Sequence, residues 1–283
     1  MRIGVEIECI ANLNNFNSDE IGEYHNGRRV EGLEGWRAEE DGSLNVCDDG
    51  EDEYCDLDSW GGVEFVSKQY RGYASLKDGL EKFKTYIKEI GGDYMSSTLN
   101  FNSTTGTHIH ISLDDMRFCD RALYPAFLKT RDKFKKLIRE SGIRSKHEIL
   151  NRYNRSYANR VLRSHRYSGE KYLEFNFDSE RQGRGLEWRS PNMTGIQSWA
   201  EFDEFWGIVI DCLKSLTRYA RNCTERVTEE IEIPSPSDFT SYETETILVD
   251  KIRNRRIRVE NSVIPEQQEV ILYDTRVAEE IEI

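Results

Sequence analysis

Apolar and polar side chains alternate along four stretches of the chain, which predicts strands that bury one face and leave the other polar. The stretches are Arg2 to Ile10, Gly61 to Ser67, Gly106 to Ser112 and Arg184 to Ser190. Their polar faces carry the chemically versatile residues of the chain, namely Glu6, Glu8, Glu64, His108, His110, Glu187 and Arg189. A face of this kind is either a solvated sheet surface or a binding site.

Apolar residues at helical spacing predict three amphipathic helices, over residues 75–90, 120–140 and 199–221. The last begins in a capping box, Ser198 to Glu201. A short strand from Trp36 is expected to end in the turn Asp41-Gly42-Ser43. The strand at 184–190 is expected to form a hairpin with residues 171–177, so the chain predicts an α+β fold.

Composition and charge narrow the function classes. No apolar run approaches the roughly 20 residues that span a bilayer, and the start of the chain lacks a signal-peptide core, so a cytoplasmic protein without membrane contact is expected. The net charge of −13 argues against a general nucleic-acid binder. Lys and Arg outnumber Asp and Glu only in residues 61–223, which favours an anion site there. Residues 224–283 are acidic and hold three of the five prolines. We expect them to form an appendage to a domain at 1–223, with short strands such as 246–249 and 269–273.

The acidic and histidine-bearing strands predict metal chemistry. Two glutamates side by side on one strand repel each other unless something neutralises them. Hard divalent cations such as Mg²⁺ and Mn²⁺ do so, because they prefer carboxylate oxygens. The histidine pair His108 and His110 can bind a metal or a phosphate.

A basic segment with interleaved tyrosines lies at residues 144–171 and includes Arg152, Arg155 and Arg160. Three interpretations fit it. It can be a solvated helix face, it can bind RNA through phosphate contacts and stacking, or it can supply guanidinium groups to a nucleoside triphosphate. The neighbouring acidic strands favour the last.

Five short motifs in order give the chain a family resemblance. They are Gly4-Val5-Glu6-Ile7-Glu8, Asp41-Gly42-Ser43, Gly62-Val63-Glu64-Phe65-Val66-Ser67, Gly106-Thr107-His108-Ile109-His110-Ile111-Ser112 and Leu186-Glu187-Trp188-Arg189-Ser190-Pro191. As a set they resemble the amidoligase family, which is similar to glutamine synthetase and the glutamate–cysteine ligases. The resemblance spans about residues 3–193.

The resemblance implies a fold, a reaction and its cofactors. The fold is a curved, mostly antiparallel sheet with helices on its convex side and with ATP and two or three Mg²⁺ or Mn²⁺ ions on its concave face. ATP phosphorylates a substrate carboxylate, and an amine attacks the acyl phosphate to give an amide, ADP and phosphate. Such chemistry needs charge neutralisation and alignment more than a covalent group on the protein. Homo-oligomers fit the resemblance, although the chain shows no separate N-terminal domain that would close a neighbour's site in a ring.

The resemblance also implies roles for individual residues. Glu8 and Glu64 would bind one metal, and Glu6, His108 and Glu187 the second, with Glu6 and Glu8 interchangeable. His110 and Arg189 would contact phosphate. Asp41 would lie near the amine or a metal, and three arginines are candidates for ATP or the substrate carboxylate, namely Arg152, Arg155 and Arg160.

Two other classes of function remain open from the residues alone. A metal-dependent hydrolase would use His108, His110 and the carboxylates, without ATP and with no role for Arg189. A protein without enzymatic activity would keep the fold and bind RNA or a partner through the basic segment 144–171.

Overall fold

The computed structural model of the chain describes residues 1–17, 19–46, 59–114, 123–151, 174–176 and 185–227, together with the strands Ile247–Asp250, Arg255–Arg258 and Tyr273–Asp274. Within these residues the chain forms four α-helices and a large, open, mostly antiparallel sheet. The predicted α+β class is therefore confirmed at this level.

The large sheet has ten strands, of which six are only two or three residues long. They are β1 (Arg2–Asn12), β2 (Ile21–Gly22), β3 (Arg28–Arg29), β4 (Trp36–Glu40), β5 (Trp60–Ser67), β6 (Tyr70–Arg71), β7 (Leu99–Asn100), β8 (Thr107–Ser112), β9 (Phe175–Asn176) and β10 (Leu186–Trp188). The main order is β2-β4-β5-β1-β8-β10-β9, with β3 beside β4 and with β6 and β7 beside β1. Within this sheet, β2 and β4 form its one parallel pair.

Strand β1 lies at the centre of the sheet, between β5 and β8, and pairs antiparallel with both. Its burial alternates as predicted: Ile3, Val5 and Ile7 are buried, while Glu6 and Glu8 on the other face are half-buried. Strands β5, β8 and β10 follow the predicted segments, and β10 pairs with β9 as the predicted hairpin requires. Residues 171–173, 177 and 184 of the predicted hairpin strands lie outside the described residues.

The four helices are α1 (Gly72–Gly91), α2 (Tyr124–Glu140), α3 (Lys146–Asn151) and α4 (Trp199–Val227). Helix α1 ends at Gly92, whose φ of +84° is a conformation that favours glycine. Helix α4 continues past the predicted end at Arg221. Helix α3 lies in the basic segment 144–171, for which a solvated helix face was one of the three interpretations. The predicted start of α2 at residue 120 lies outside the described residues.

The hydrophobic core lies between the apolar face of the sheet and the helices. Phe83 of α1 contacts Trp36 of β4 and Phe65 of β5, with ring centroids 5.0 and 5.3 Å away. Phe134 of α2 likewise packs edge-on against Trp188 of β10 at 5.5 Å. Because the helices cover this face, the carboxylates and histidines of the central strands are directed to the opposite one.

The predicted capping box at the start of α4 is a wider hydrogen-bonded cluster around Glu201. Ser198 Oγ donates to Glu201 Oε2 at 3.0 Å, and both the backbone N–H and the guanidinium of Arg144 donate to Glu201 Oε1 at 3.0 Å. Burial alone would raise the pKa of the Glu201 carboxyl, but these hydrogen bonds outweigh it and lower the pKa to about 2. Glu201 therefore ties helix α4 to the segment between α2 and α3.

The acidic C-terminal residues contain a second sheet, β11-β12-β13, formed by Ile247–Asp250, Arg255–Arg258 and Tyr273–Asp274. A strand at 246–249 was predicted, and β11 confirms it within one residue. The predicted strand at 269–273 meets β13 only at Tyr273 and otherwise lies outside the described residues, and β12 was not predicted. The domain division after residue 223 stays a prediction.

Among the described helices, none combines the length and the apolarity that a membrane span needs.

Replacing Glu201 with Gln should lower the free energy of unfolding at pH 7 by about 1–2 kcal/mol, because hydrogen bonds to a buried charge are lost. The ion pair with Arg144 adds little to this loss, because the exposed guanidinium is screened by water. The carboxyl pKa is about 2 in the folded chain and 4.5 ordinarily. This stabilisation is therefore present above pH 4.5 and is lost as the pH falls towards 2. Urea unfolding of both proteins across this pH range measures it. Glu89→Gln, at an exposed position of α1, is the control, and an equal effect of the two variants would contradict the role of Glu201.

Candidate metal centre on the polar face of the sheet

The strand register aligns the polar residues in rows across the sheet. In one row, Glu64 of β5 lies directly opposite Glu39 of β4 on one side and Glu8 of β1 on the other. Glu6 of β1 lies opposite His108 of β8 in the next row. A third row runs across four strands and contains Gly4, His110, Glu187 and Asn176. Neighbouring strands lie roughly 4.8 Å apart, so side chains in these rows are within reach of each other.

Two groups of potential metal ligands meet around His108. One consists of Glu6, His108 and Glu187, and the other of Glu8, Glu64 and His108; within each group the three ligand atoms lie within 4.8 Å of one another. The family resemblance assigns these same residues to two metals, and in the structure His108 is common to both groups. Whether the residues bind metal stays a prediction.

The His108 imidazole lies between the two groups and is nearly fully buried. Its Nδ1 is 3.1 Å from Glu6 Oε2 and 3.7 Å from Glu187 Oε1. Its Nε2 is 3.5 Å from Glu8 Oε1 but makes no hydrogen bond to any residue that the structure describes. A buried nitrogen that faces carboxylate oxygens without a hydrogen bond has the arrangement of a metal ligand, since a cation can satisfy both.

Glu6 is the best neutralised of the carboxylates. His108 Nδ1 contacts one of its oxygens at 3.1 Å and His110 Nε2 the other at 3.0 Å. Burial alone would raise the pKa of Glu6, but the contacts with the two histidines outweigh it and hold the pKa well below its usual range. Glu6 is therefore ionised throughout the physiological pH range.

Glu64 is in the opposite situation. Burial, together with the nearby charges of Glu6, Glu8, Glu39 and Asp41, raises its pKa to about 9. Without a cation Glu64 is consequently protonated at neutral pH. A divalent cation between Glu64 and Glu8 would remove this penalty, which makes the site fit the metal that the resemblance implies.

Glu187 has a hydrogen-bond donor on each carboxylate oxygen. Asn176 Nδ2 donates to Oε2 at 2.7 Å, and Arg189 Nη1 donates to Oε1. Both Glu187 and Arg189 are buried, and the backbone N–H of Arg189 is fixed by the carbonyl oxygen of Glu174 at 2.9 Å. These contacts hold the guanidinium next to the Glu6 and His108 group.

Asp41 has a mainly local role in the structure. Its Oδ1 accepts hydrogen bonds from the backbone N–H of Ser43 at 2.9 Å and from its hydroxyl at 2.6 Å, which closes the turn after β4. Asp41 belongs to neither ligand group, although its charge contributes to the raised pKa of Glu64. Its role near an amine or a metal stays a prediction.

Sequence reasoning missed Glu39 and Asn176. Glu39 alternates with Trp36 and Ala38 on β4, so its place on the polar face was readable, but its position opposite Glu64 depends on strand register. Asn176 was assigned to a strand without a role. Three predicted cofactor ligands, Arg152, Arg155 and Arg160, lie outside the described residues, and their assignment stays a prediction.

Glu64→Gln should make the metal-free protein more stable at pH 8. The pKa of Glu64 is about 9 in the folded chain against an ordinary 4.5, so stability present below pH 4.5 is lost progressively as the pH rises to 9. Glutamine does not ionise, so the variant does not lose this stability. Its free energy of unfolding at pH 8 should exceed that of wild type by about 1 kcal/mol or more, since one pKa unit corresponds to 1.36 kcal/mol.

Urea unfolding between pH 5 and 9 in the presence of a chelator measures the effect. Glu40→Gln, at the exposed end of β4, is the matched control and should follow wild type. If the wild-type and Glu64→Gln curves run parallel over this range, Glu64 is not destabilised by its neighbours.

Comparison with known proteins yields no match for this chain: no protein-family model, no curated protein and no solved structure is similar to it. The residues of the polar face and their geometry are consequently the basis on which a function can be proposed.

Proposed function

We propose that the protein is an ATP-dependent carboxylate–amine ligase related to the amidoligases, with a glutamine-synthetase-like curved sheet and with Mg²⁺ or Mn²⁺ on its polar face. The observation that carries the proposal is the pair of ligand groups around His108. Carboxylates on neighbouring strands with a shared histidine and an adjacent buried arginine suit the binding of divalent cations beside phosphate. We place the reaction in the cytoplasm, where ATP is available.

Each residue has a defined task in this proposal. When bound, Mg²⁺–ATP supplies the phosphoryl group that activates the substrate carboxylate and the positive charge that balances the site. Glu8, Glu64, Glu6, His108 and Glu187 hold the cations. Two further residues contact phosphate oxygens, namely His110 and Arg189, and the guanidinium fork of Arg189 matches phosphate geometry.

The substrates are a carboxylate and an amine, either free or on a peptide or protein. Two acidic residues that are outside the cation ligand groups, Glu39 and Asp41, lie on the β4 side and favour the approach of a cationic ammonium group there. Arg189 lies on the β10 side and favours anionic groups. A buried arginine beside the metal ligands suits a reaction in which phosphate is bound there, and this supports a ligase that uses ATP over a hydrolase that assigns no role to Arg189.

Mg²⁺–ATP should raise the thermal midpoint of the wild-type protein. A ligand that binds only the folded state stabilises it by roughly 2.7 kcal/mol at 100 times its Kd. Glu187→Gln removes one charged ligand and should abolish most of the shift, whereas Glu40→Gln should retain it. Differential scanning fluorimetry with ATP, with Mg²⁺ and with both together measures these shifts.

The same proteins separate the alternatives. A shift with the metal alone and none from ATP would favour a metal-dependent hydrolase. The absence of any shift at millimolar Mg²⁺–ATP would contradict the ligase proposal. A shift that needs both components justifies a screen of acids and amines for ADP release, and that release should be lost in Glu187→Gln.

A further inference from the structure

Arg189 is a buried cation in the place where the proposed function requires a metal cation. Its Nη1 donates to Glu187 Oε1, the oxygen that also lies 3.7 Å from His108 Nδ1. The oxygen that Arg189 neutralises therefore faces the group of Glu6, His108 and Glu187. A cation bound by this group would meet the guanidinium at the same carboxylate.

The carboxylate does not need Arg189 for its orientation. Asn176 Nδ2 donates to the other oxygen of Glu187 at 2.7 Å, and β10 is paired on both sides, with β8 and β9. The contribution of Arg189 at Glu187 is consequently one of charge, since its guanidinium balances a buried carboxylate whose exposed fraction is 5%.

We propose that Arg189 neutralises Glu187 only while the metal site is empty, and that a divalent cation displaces it. Two positive charges at one carboxylate repel each other, most strongly in a site that excludes water. The displaced guanidinium is then available to phosphate oxygens, for which its planar fork is suited. This inference depends on the cation sites of the proposed function and adds an order of binding to them, with the metal before the polyphosphate.

The order of binding implies coupling between the two ligands. The metal releases Arg189 for the phosphates, and phosphates that hold Arg189 away from Glu187 strengthen the binding of the metal. Such coupling is reciprocal by linkage. Removal of Arg189 must therefore have opposite effects on the two ligands, which distinguishes it from a residue that merely stabilises the site.

A titration with Mn²⁺ alone tests the displacement. Electron paramagnetic resonance measures the concentration of free Mn²⁺ at each point and so gives the affinity. Arg189→Gln should bind Mn²⁺ about tenfold more tightly than wild type, because a competing charge is gone and a tenfold change corresponds to only 1.4 kcal/mol. Arg189→Lys keeps the charge and should stay within about threefold of wild type. Arg37→Gln removes an exposed arginine on β4, and should leave the affinity unchanged.

Binding of ATP at saturating Mn²⁺, measured by calorimetry, tests whether the displaced Arg189 binds phosphate. Arg189→Gln should bind ATP about tenfold more weakly than wild type, the loss expected for one or two charge-assisted hydrogen bonds. An unchanged ATP affinity would overturn the transfer of Arg189 to phosphate.

The outcomes separate this inference from the proposed function. If wild type binds Mn²⁺ and Arg189→Gln binds it equally or more weakly, the displacement is wrong while the cation sites stand. If wild type binds no Mn²⁺ at millimolar concentration, both fail. Should Arg189→Gln not fold, the ¹⁵N side-chain resonance of Arg189 in wild type, assigned by its absence in Arg189→Lys, must shift when Mg²⁺ is added; a resonance that does not move overturns the displacement.

Discussion

The rest of the site depends on the negative charge of carboxylates that the fold holds close together. Five glutamates lie on adjacent strands of one sheet face, namely Glu6, Glu8, Glu39, Glu64 and Glu187. The opposite face of strands β4, β5 and β10 packs into the core through aromatic contacts with helices α1 and α2. Since the strands cannot separate without breaking that core, the carboxylates stay close together and need cations.

The structure balances this charge unevenly. On the β8 and β10 side, His108, His110 and Arg189 contact Glu6 and Glu187. On the β4 and β5 side, Glu64 is surrounded by like charges and its pKa rises to about 9. The first side is therefore preorganised without a cation, and the second becomes fully ionised only when one binds. A cation shared with phosphate would balance both sides, and this supports the proposed nucleotide-dependent ligase over a solvated sheet face.

The sequence predicted on which face of a strand each side chain lies better than it predicted which strands pair with each other. Period-two alternation identified β1, β5 and β8 and placed their glutamates and histidines on one face, because alternation is a local property. The position of Glu39 opposite Glu64 depends on register and on the order of strands in the sheet, which no single strand encodes. Six strands of two or three residues are too short for periodicity, and α4 runs past its predicted end because its later turns carry few apolar residues to mark the pattern.

Anomalous diffraction from crystals soaked in Mn²⁺ would show whether the polar face holds divalent cations on either side of His108. We expect one anomalous peak among Glu6, His108 and Glu187 and a second between Glu8 and Glu64. If crystals soaked in millimolar Mn²⁺ show no peak on this face, the proposed cation sites are wrong.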